Sequence, residues 1–284
     1  MTETPPRPPS LISRATYHGE RATPPWPERI PWEELGPEFF RVWGFPNGDW
    51  TPEHLEILGP SGTGKSFFEA TILRERARLR GSHIVVIATK PADKTISALG
   101  WPVVNRWPPN QWKKENAQVI YWAKAPTLDQ NGVEQQRVAI NELLQKLWRP
   151  DSNIIVAFDE IAYIEQDLGL KQLITRYYRE ARALGITIVA STQRPQNVSR
   201  YMHSESSWAV VFSPKDEEDA ERMAQVIGNR KFYTPVLMDL DRSKREFLMI
   251  HTLTRTAYVS HITDTPIAVE KRSTEPTGKP DQSV

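Results

Sequence analysis

An α/β fold, with a mostly parallel sheet and helices on both of its faces, is predicted by three observations. Short apolar runs alternate along the chain with segments of helical periodicity. Two of those runs, IVVIA at 84–88 and IIVAF at 154–158, lack the polar alternation of a half-wet strand and so belong inside a sheet covered on both sides. A glycine-rich octapeptide, GPSGTGKS at 59–66, stands between an apolar run and a helical one.

Taken in order, residues 1–31 carry TPPRPPS and ATPPWPERIP, where repeated proline removes amide donors and forces extended backbone. This reads as an arm, either disordered or anchored through Trp26 and Trp32 on the body or on a neighbouring subunit. A body at 32–262 and a polar tail at 263–284 complete the division. Strands are expected at 54–58, 84–88, 119–122, 154–158, 186–191 and 208–212, and helices at 66–80, 133–148, 170–184 and 216–227. The stretch 90–111 reads as a long interrupted loop. REFLMIH and TAYVSHI read as a terminal antiparallel pair, since their short polar connection cannot carry a parallel crossover.

Composition narrows the partners. The 284 residues hold 36 Lys plus Arg against 35 Asp plus Glu, so no strongly one-signed body explains them and a histone-like protein is excluded. The absence of Cys excludes a disulfide scaffold and, with six scattered His, leaves no case for zinc. No apolar run reaches the roughly 18 residues that a membrane span needs, so neither a membrane segment nor a secretory leader is expected.

In the octapeptide, Gly59, Gly62 and Gly64 let consecutive amides turn toward a phosphate chain, and Pro60, Ser61 and Thr63 complete the loop. Lys65 brings an ammonium to the outer phosphates. Ser66 offers a hydroxyl to Mg²⁺ at the positive end of the following helix. Asp159 ends the apolar run 154–158 and is placed at the carboxyl edge of the sheet to orient the Mg²⁺ water shell. Glu160, next in the chain, is the candidate base for attack by water on a terminal phosphate. ITIVASTQRP at 186–195 repeats the pattern of apolar strand and polar end. If its strand lies between the other two, Gln193 can contact the attacking water or the terminal phosphate.

Before that strand, Arg176, Arg179 and Arg182 recur three residues apart. They make either a solvated face or a set from which one guanidinium crosses to a neighbouring subunit's terminal phosphate, with Arg182 the first candidate and Arg179 the second.

Together GPSGTGKS, IIVAFDE and RALGITIVASTQRP resemble the DNA-translocating P-loop ATPases of the FtsK/HerA superfamily, over roughly residues 53–261. The resemblance implies a RecA-like fold of the ASCE type, ATP with Mg²⁺ as cofactors and a hexameric or similarly ring-shaped assembly. It implies double-stranded DNA as the substrate that moves. It assigns catalytic roles to Glu160, Gln193 and an arginine supplied in trans that matches Arg182. Thr89 stands where the family more usually has an acidic residue. A compact chain of this kind is most similar to a viral or prophage genome-packaging ATPase, cytoplasmic and docked on a capsid portal or vertex protein. Conjugative or mobilisation DNA transfer, and a nucleotide-switch scaffold that does not pump, are the alternatives.

A motor that slides on every sequence grips phosphates rather than base edges. The candidate contacts are Lys90 and Lys94, Lys113 and Lys114, and Arg194 and Arg200, each otherwise an ordinary surface charge. Trp50 is a candidate for stacking on adenine, and Trp101 and Trp107 for bracing an interface; each is equally a packing residue.

Overall fold

The computed structural model describes residues 26–44, 52–80, 82–90, 94–114, 116–124, 127 and 129–263. Most of the proline-rich arm, Trp50 and all but the first residue of the polar tail lie outside them. Ten strands form one sheet: β1 Glu28–Arg29, β2 His54–Leu58, β3 His83–Ala88, β4 Val103–Val104, β5 Gln118–Trp122, β6 Ile154–Phe158, β7 Ile186–Thr192, β8 Ser206–Phe212, β9 Phe247–His251 and β10 Thr256–Ser260. Their order across the sheet is β1-β10-β9-β8-β2-β7-β6-β3-β5-β4. Every pairing from β8 through β4 is parallel, and β9 pairs antiparallel with both β8 and β10. The predicted mostly parallel sheet and its antiparallel terminal pair are therefore the fold observed.

Apolar runs without alternation are explained by two packed faces. Leu58, Val85, Ile87, Val156, Phe158, Ile188 and Ala190 point to one face. Leu55, Ile57, Ile84, Val86, Ala157 and Val189 point to the other. The first face is covered by helices α4 Gln130–Leu147, α5 Lys171–Glu180, α6 Arg200–Glu205, α7 Glu217–Val226 and α8 Arg230–Met238. The second is covered by α1 Trp32–Phe39, α2 Lys65–Arg80 and the single turn α3 Lys94–Ser97.

Several elements depart from the sequence reading. The helix α1 and its π-helical continuation Phe40–Gly44 form in spite of Pro31 and Pro37. Burial decides the matter: Trp32, 1% exposed, packs its ring against Phe39, Phe40, Phe68 and Phe247. Helix α8 likewise carries an internal proline, Pro235, and is capped by the Asn229 side chain, which accepts from the Phe232 amide. Inside 90–111 the structure adds α3 and the two-residue strand β4, which pairs with β5 at the sheet edge. In α2, Phe68, Ala70, Ile72 and Leu73 are buried and Phe67 is half-buried.

The described end of the arm is fastened to the body. Glu28 and Arg29 pair with Tyr258 and Val259 of β10, and the Arg29 guanidinium donates to Asp239 at 2.9 Å and Glu246 at 3.3 Å. Trp26 meets the Phe232 ring edge-on at 6.4 Å.

Candidate nucleotide site

Three strand ends meet at one edge. Strand β7 lies between β2 and β6, pairing Leu58 with Thr192 and Phe158 with Ala190. This is the arrangement on which the Gln193 reading depended. It brings the 59–66 loop, Asp159, Glu160 and Gln193 together at the carboxyl edge.

The loop owes its course to backbone that only glycine takes easily. Gly59 has φ +149°, and a Cβ there would lie 2.8 Å from Phe212 Cβ. Gly64 has φ +110°. Lys65 is buried and its Nζ donates to the Pro60 carbonyl at 2.8 Å, as does Thr63 Oγ1 at 2.9 Å. The ammonium thus closes the loop on itself. Burial pushes the Lys65 ammonium down to about 8 from an ordinary 10.5, against the pull of the Glu160 carboxylate. An anionic ligand that restores its charge partners suits this site.

Asp159 is buried, and its Oδ2 accepts from Thr89 Oγ1 at 3.4 Å. Thr89 therefore supports the acidic residue from the end of β3, a role the sequence did not reveal. Glu160 is held at both oxygens: Thr192 Oγ1 donates to Oε1 at 2.9 Å and the Gln193 amide to Oε2 at 3.3 Å. Thr192 in turn accepts from the Arg194 amide at 3.2 Å. Sequence reasoning passed over Thr192, although its place beside Gln193 at the strand end was the signal. Gln193 and Arg194 line two adjoining clefts. One is about 420 Å³ and runs to Pro60 and the start of α7; the other, about 220 Å³, is lined by Glu160 and Tyr163.

Behind this edge the connections are tied together below the surface. The Ser199 amide donates to Glu165 Oε2 at 2.6 Å, linking the segment after Glu160 to the segment after Gln193. Burial raises the Glu165 carboxyl to about 7, although the Ser199 amide favours its charged form. On strand β2, Glu56 Oε2 lies 2.5 Å from His203 Nδ1, and His203 Nε2 lies 3.3 Å from the Pro195 carbonyl.

The remaining sequence candidates are scattered. Arg182 lies at the opposite, amino edge of the sheet, where its guanidinium donates to the Glu205 carbonyl and, at 3.4 Å, to Ser207 Oγ. Arg179 is exposed, its guanidinium 5.6 Å from the Tyr201 ring, and Arg176 pairs with Glu180 at 3.0 Å. Lys90, Lys94 and Arg194 are exposed and follow strand carboxyl ends. Lys113 and Lys114 precede β5 at the amino edge, where Trp112 packs on Trp107 at 4.4 Å and on His83 at 4.7 Å. Arg200 starts α6 with its guanidinium 5.4 Å from Tyr201. The six basic candidates therefore do not share one surface of this chain.

The residues present fit a magnesium nucleotide: a glycine loop with a buried ammonium, a hydroxyl on Ser66 at the start of α2 and a buried carboxylate on Asp159. Among the described residues no helix is long and apolar enough to cross a membrane.

No protein-family model matches the chain, and no curated protein does. Solved structures do. The genome packaging NTPase B204 from Sulfolobus turreted icosahedral virus 2, in complex with AMPPCP, is similar at 13% identity with a TM-score of 0.55, over 76% of this chain and 99% of that one. B204, the DNA-packaging ATPase from Sulfolobus turreted icosahedral virus, is similar at 15% identity and a TM-score of 0.53, over 76% of this chain and 100% of that one. VirB4 of Thermoanaerobacter pseudethanolicus is similar at 12% identity and a TM-score of 0.56, over 75% of this chain and 90% of that one. The likeness at these identities is one of fold, and that fold is the one implied by the resemblance of the sequence motifs.

Proposed function

We propose that this chain is an ATP hydrolase of FtsK/HerA type that couples nucleotide turnover to the movement of double-stranded DNA, acting in the packaging of a viral genome. The observation that carries the reading is the convergence of Lys65, Asp159, Glu160 and Gln193 on one sheet edge, with β7 between β2 and β6. A phosphate loop alone would serve a switch; a base fixed beside a strand-end glutamine is what turnover requires.

The proposed division of labour is as follows. The loop amides and Lys65 bind the phosphates, while Ser66 and Asp159 hold Mg²⁺ with its water. Held there, Mg²⁺ would supply positive charge beside the terminal phosphate. Glu160 takes the proton of the attacking water, and Gln193 orients that water.

An arginine acting in trans comes from the α5 region. Arg179, exposed, fits a role across an interface more readily than Arg182, which its own chain engages. In a hexameric ring, Lys90 and Arg194, each near a nucleotide edge, are the basic residues best placed to follow the state of the site. Docking on a capsid portal or vertex protein in the cytoplasm completes the packaging role.

The likeness to B204 supports packaging; the equally close fold of VirB4 favours, as a second reading, a DNA-transfer ATPase. Steady-state ATPase assays with and without double-stranded DNA, over a salt series, test the motor. DNA stimulation that fades as salt rises supports it. ATP binding with no turnover under any condition would instead describe a switch.

A further inference from the structure

The phosphate loop is flanked by two different strand edges. Leu58, which leads into the loop, pairs with Thr192 on one flank and Val211 on the other. Glu160 and Gln193 occupy the β7 flank, so a terminal phosphate faces that way and the nucleoside leaves over the β8–β9 flank. There Phe212, the last residue of β8, pairs with Phe247, the first of β9. The turn 241–246, which delivers the chain into β9, stands beside them.

That turn is built to hold one side chain. The Arg245 amide donates to the Arg242 carbonyl at 3.1 Å, with Arg245 at φ +56°. The Asp241 carboxylate accepts from the Ser243 amide at 2.9 Å, and the Asp241 amide donates to Glu246 Oε2 at 2.9 Å. Arg29 locks Glu246 from the far side. Arg245 is thereby laid along the phosphate loop: its Cδ is 3.4 Å from where a Cβ on Gly64 would stand. Its guanidinium carbon is 6.0 Å from the centroid of the half-buried Phe67 ring, one residue past Ser66. Among the described residues nothing accepts a hydrogen bond from that guanidinium. A flat cation with a ring at its side and no acceptor is suited to a flat π-system.

We propose that Arg245, backed by Phe67, forms the base-binding wall of the nucleotide site and stacks on the purine ring of ATP. This rests on the nucleotide reading above and adds to it the residues that recognise the base. Stacking with a guanidinium plane favours the larger purine over a pyrimidine. It also places base recognition on the strand pair β8–β9, opposite the hydrolytic flank.

The test is equilibrium binding of ATP, CTP and inorganic tripolyphosphate to the wild type and to the R245A, R245K and K65A variants, with melting curves confirming that each variant folds. R245A is expected to weaken ATP about tenfold and to leave tripolyphosphate within about twofold. R245K, which keeps the charge and loses the plane, is expected to recover little of the loss. The preference for ATP over CTP is expected to shrink in both Arg245 variants. Unchanged ATP affinity in R245A, or an equal loss for ATP and tripolyphosphate, overturns the proposal while leaving the phosphate loop intact. Failure of the wild type to bind either ligand, or K65A binding both as the wild type does, overturns the nucleotide reading itself and this proposal with it.

Discussion

Thr192 Oγ1 donates to Glu160 Oε1 across 2.9 Å, so the last residue of β7 holds the group that follows the end of β6. The Gln193 amide takes the other oxygen of the same carboxylate at 3.3 Å. Glu160 and the Thr192–Gln193 strand end are thus fixed against one another. Removing the hydroxyl while keeping the shape, in Thr192→Val, is expected to lower kcat about tenfold or more, because small displacements of a catalytic group are costly. KM for ATP is expected to hold. An unchanged kcat would mean that the Gln193 amide alone suffices to fix Glu160.

Lys65 gives the site a pH signature. Burial brings its ammonium down to about 8, so the nucleotide-free folded chain sheds this proton well below the 10.5 of an exposed lysine. A triphosphate needs the charge. The dissociation constant for ATP is therefore expected to rise above pH 8, approaching about tenfold per pH unit. Binding at pH 8.5 should take up a proton, visible as a dependence of calorimetric enthalpy on buffer ionisation. A flat affinity from pH 7 to 9 would contradict it.

Glu165 makes a prediction of the opposite kind, about stability. Its carboxyl is raised by burial from an ordinary 4.5 to about 7. Between those values the folded chain keeps a proton that the unfolded chain has released, so stability falls as pH rises through the window. Glu165→Gln keeps an oxygen for the Ser199 amide and removes the titration. Melting temperature is expected to depend less on pH between 4.5 and 7 in the variant than in the wild type. Parallel curves for the two would refute this.

The buried ring of Trp32 fastens the start of the body to the sheet. Trp32→Ala removes a side chain that touches Phe39, Phe40, Phe68 and Phe247 and leaves a cavity, at a cost of about 3–5 kcal/mol. Denaturant unfolding measures it. A loss below about 1 kcal/mol would show that α1 is not part of the cooperative unit.

Sequence carried the strands and their chemistry because both are local. An unbroken apolar run followed by a polar residue reports a buried strand and its end, and Asp159, Glu160 and Gln193 each follow such a run, while Lys65 is marked by the glycine loop that precedes it. What escaped was long-range or overridden. Two helices with internal prolines, at 37 and 235, form because burial and capping outweigh the missing amide. Thr89, Glu165, His203 and Arg245 act on residues far along the chain, and no spacing rule joins Arg245 to Gly64. No local pattern joins Arg182 to the partners its guanidinium meets, the Glu205 carbonyl and Ser207 Oγ.

The most direct test pairs Mg·ATP binding with single-turnover hydrolysis in the wild type, Lys65→Ala and Glu160→Gln. Lys65→Ala is expected to lose both, and Glu160→Gln to keep ATP while hydrolysis falls by about a hundredfold or more. Hydrolysis at the wild-type rate in Glu160→Gln would contradict the account.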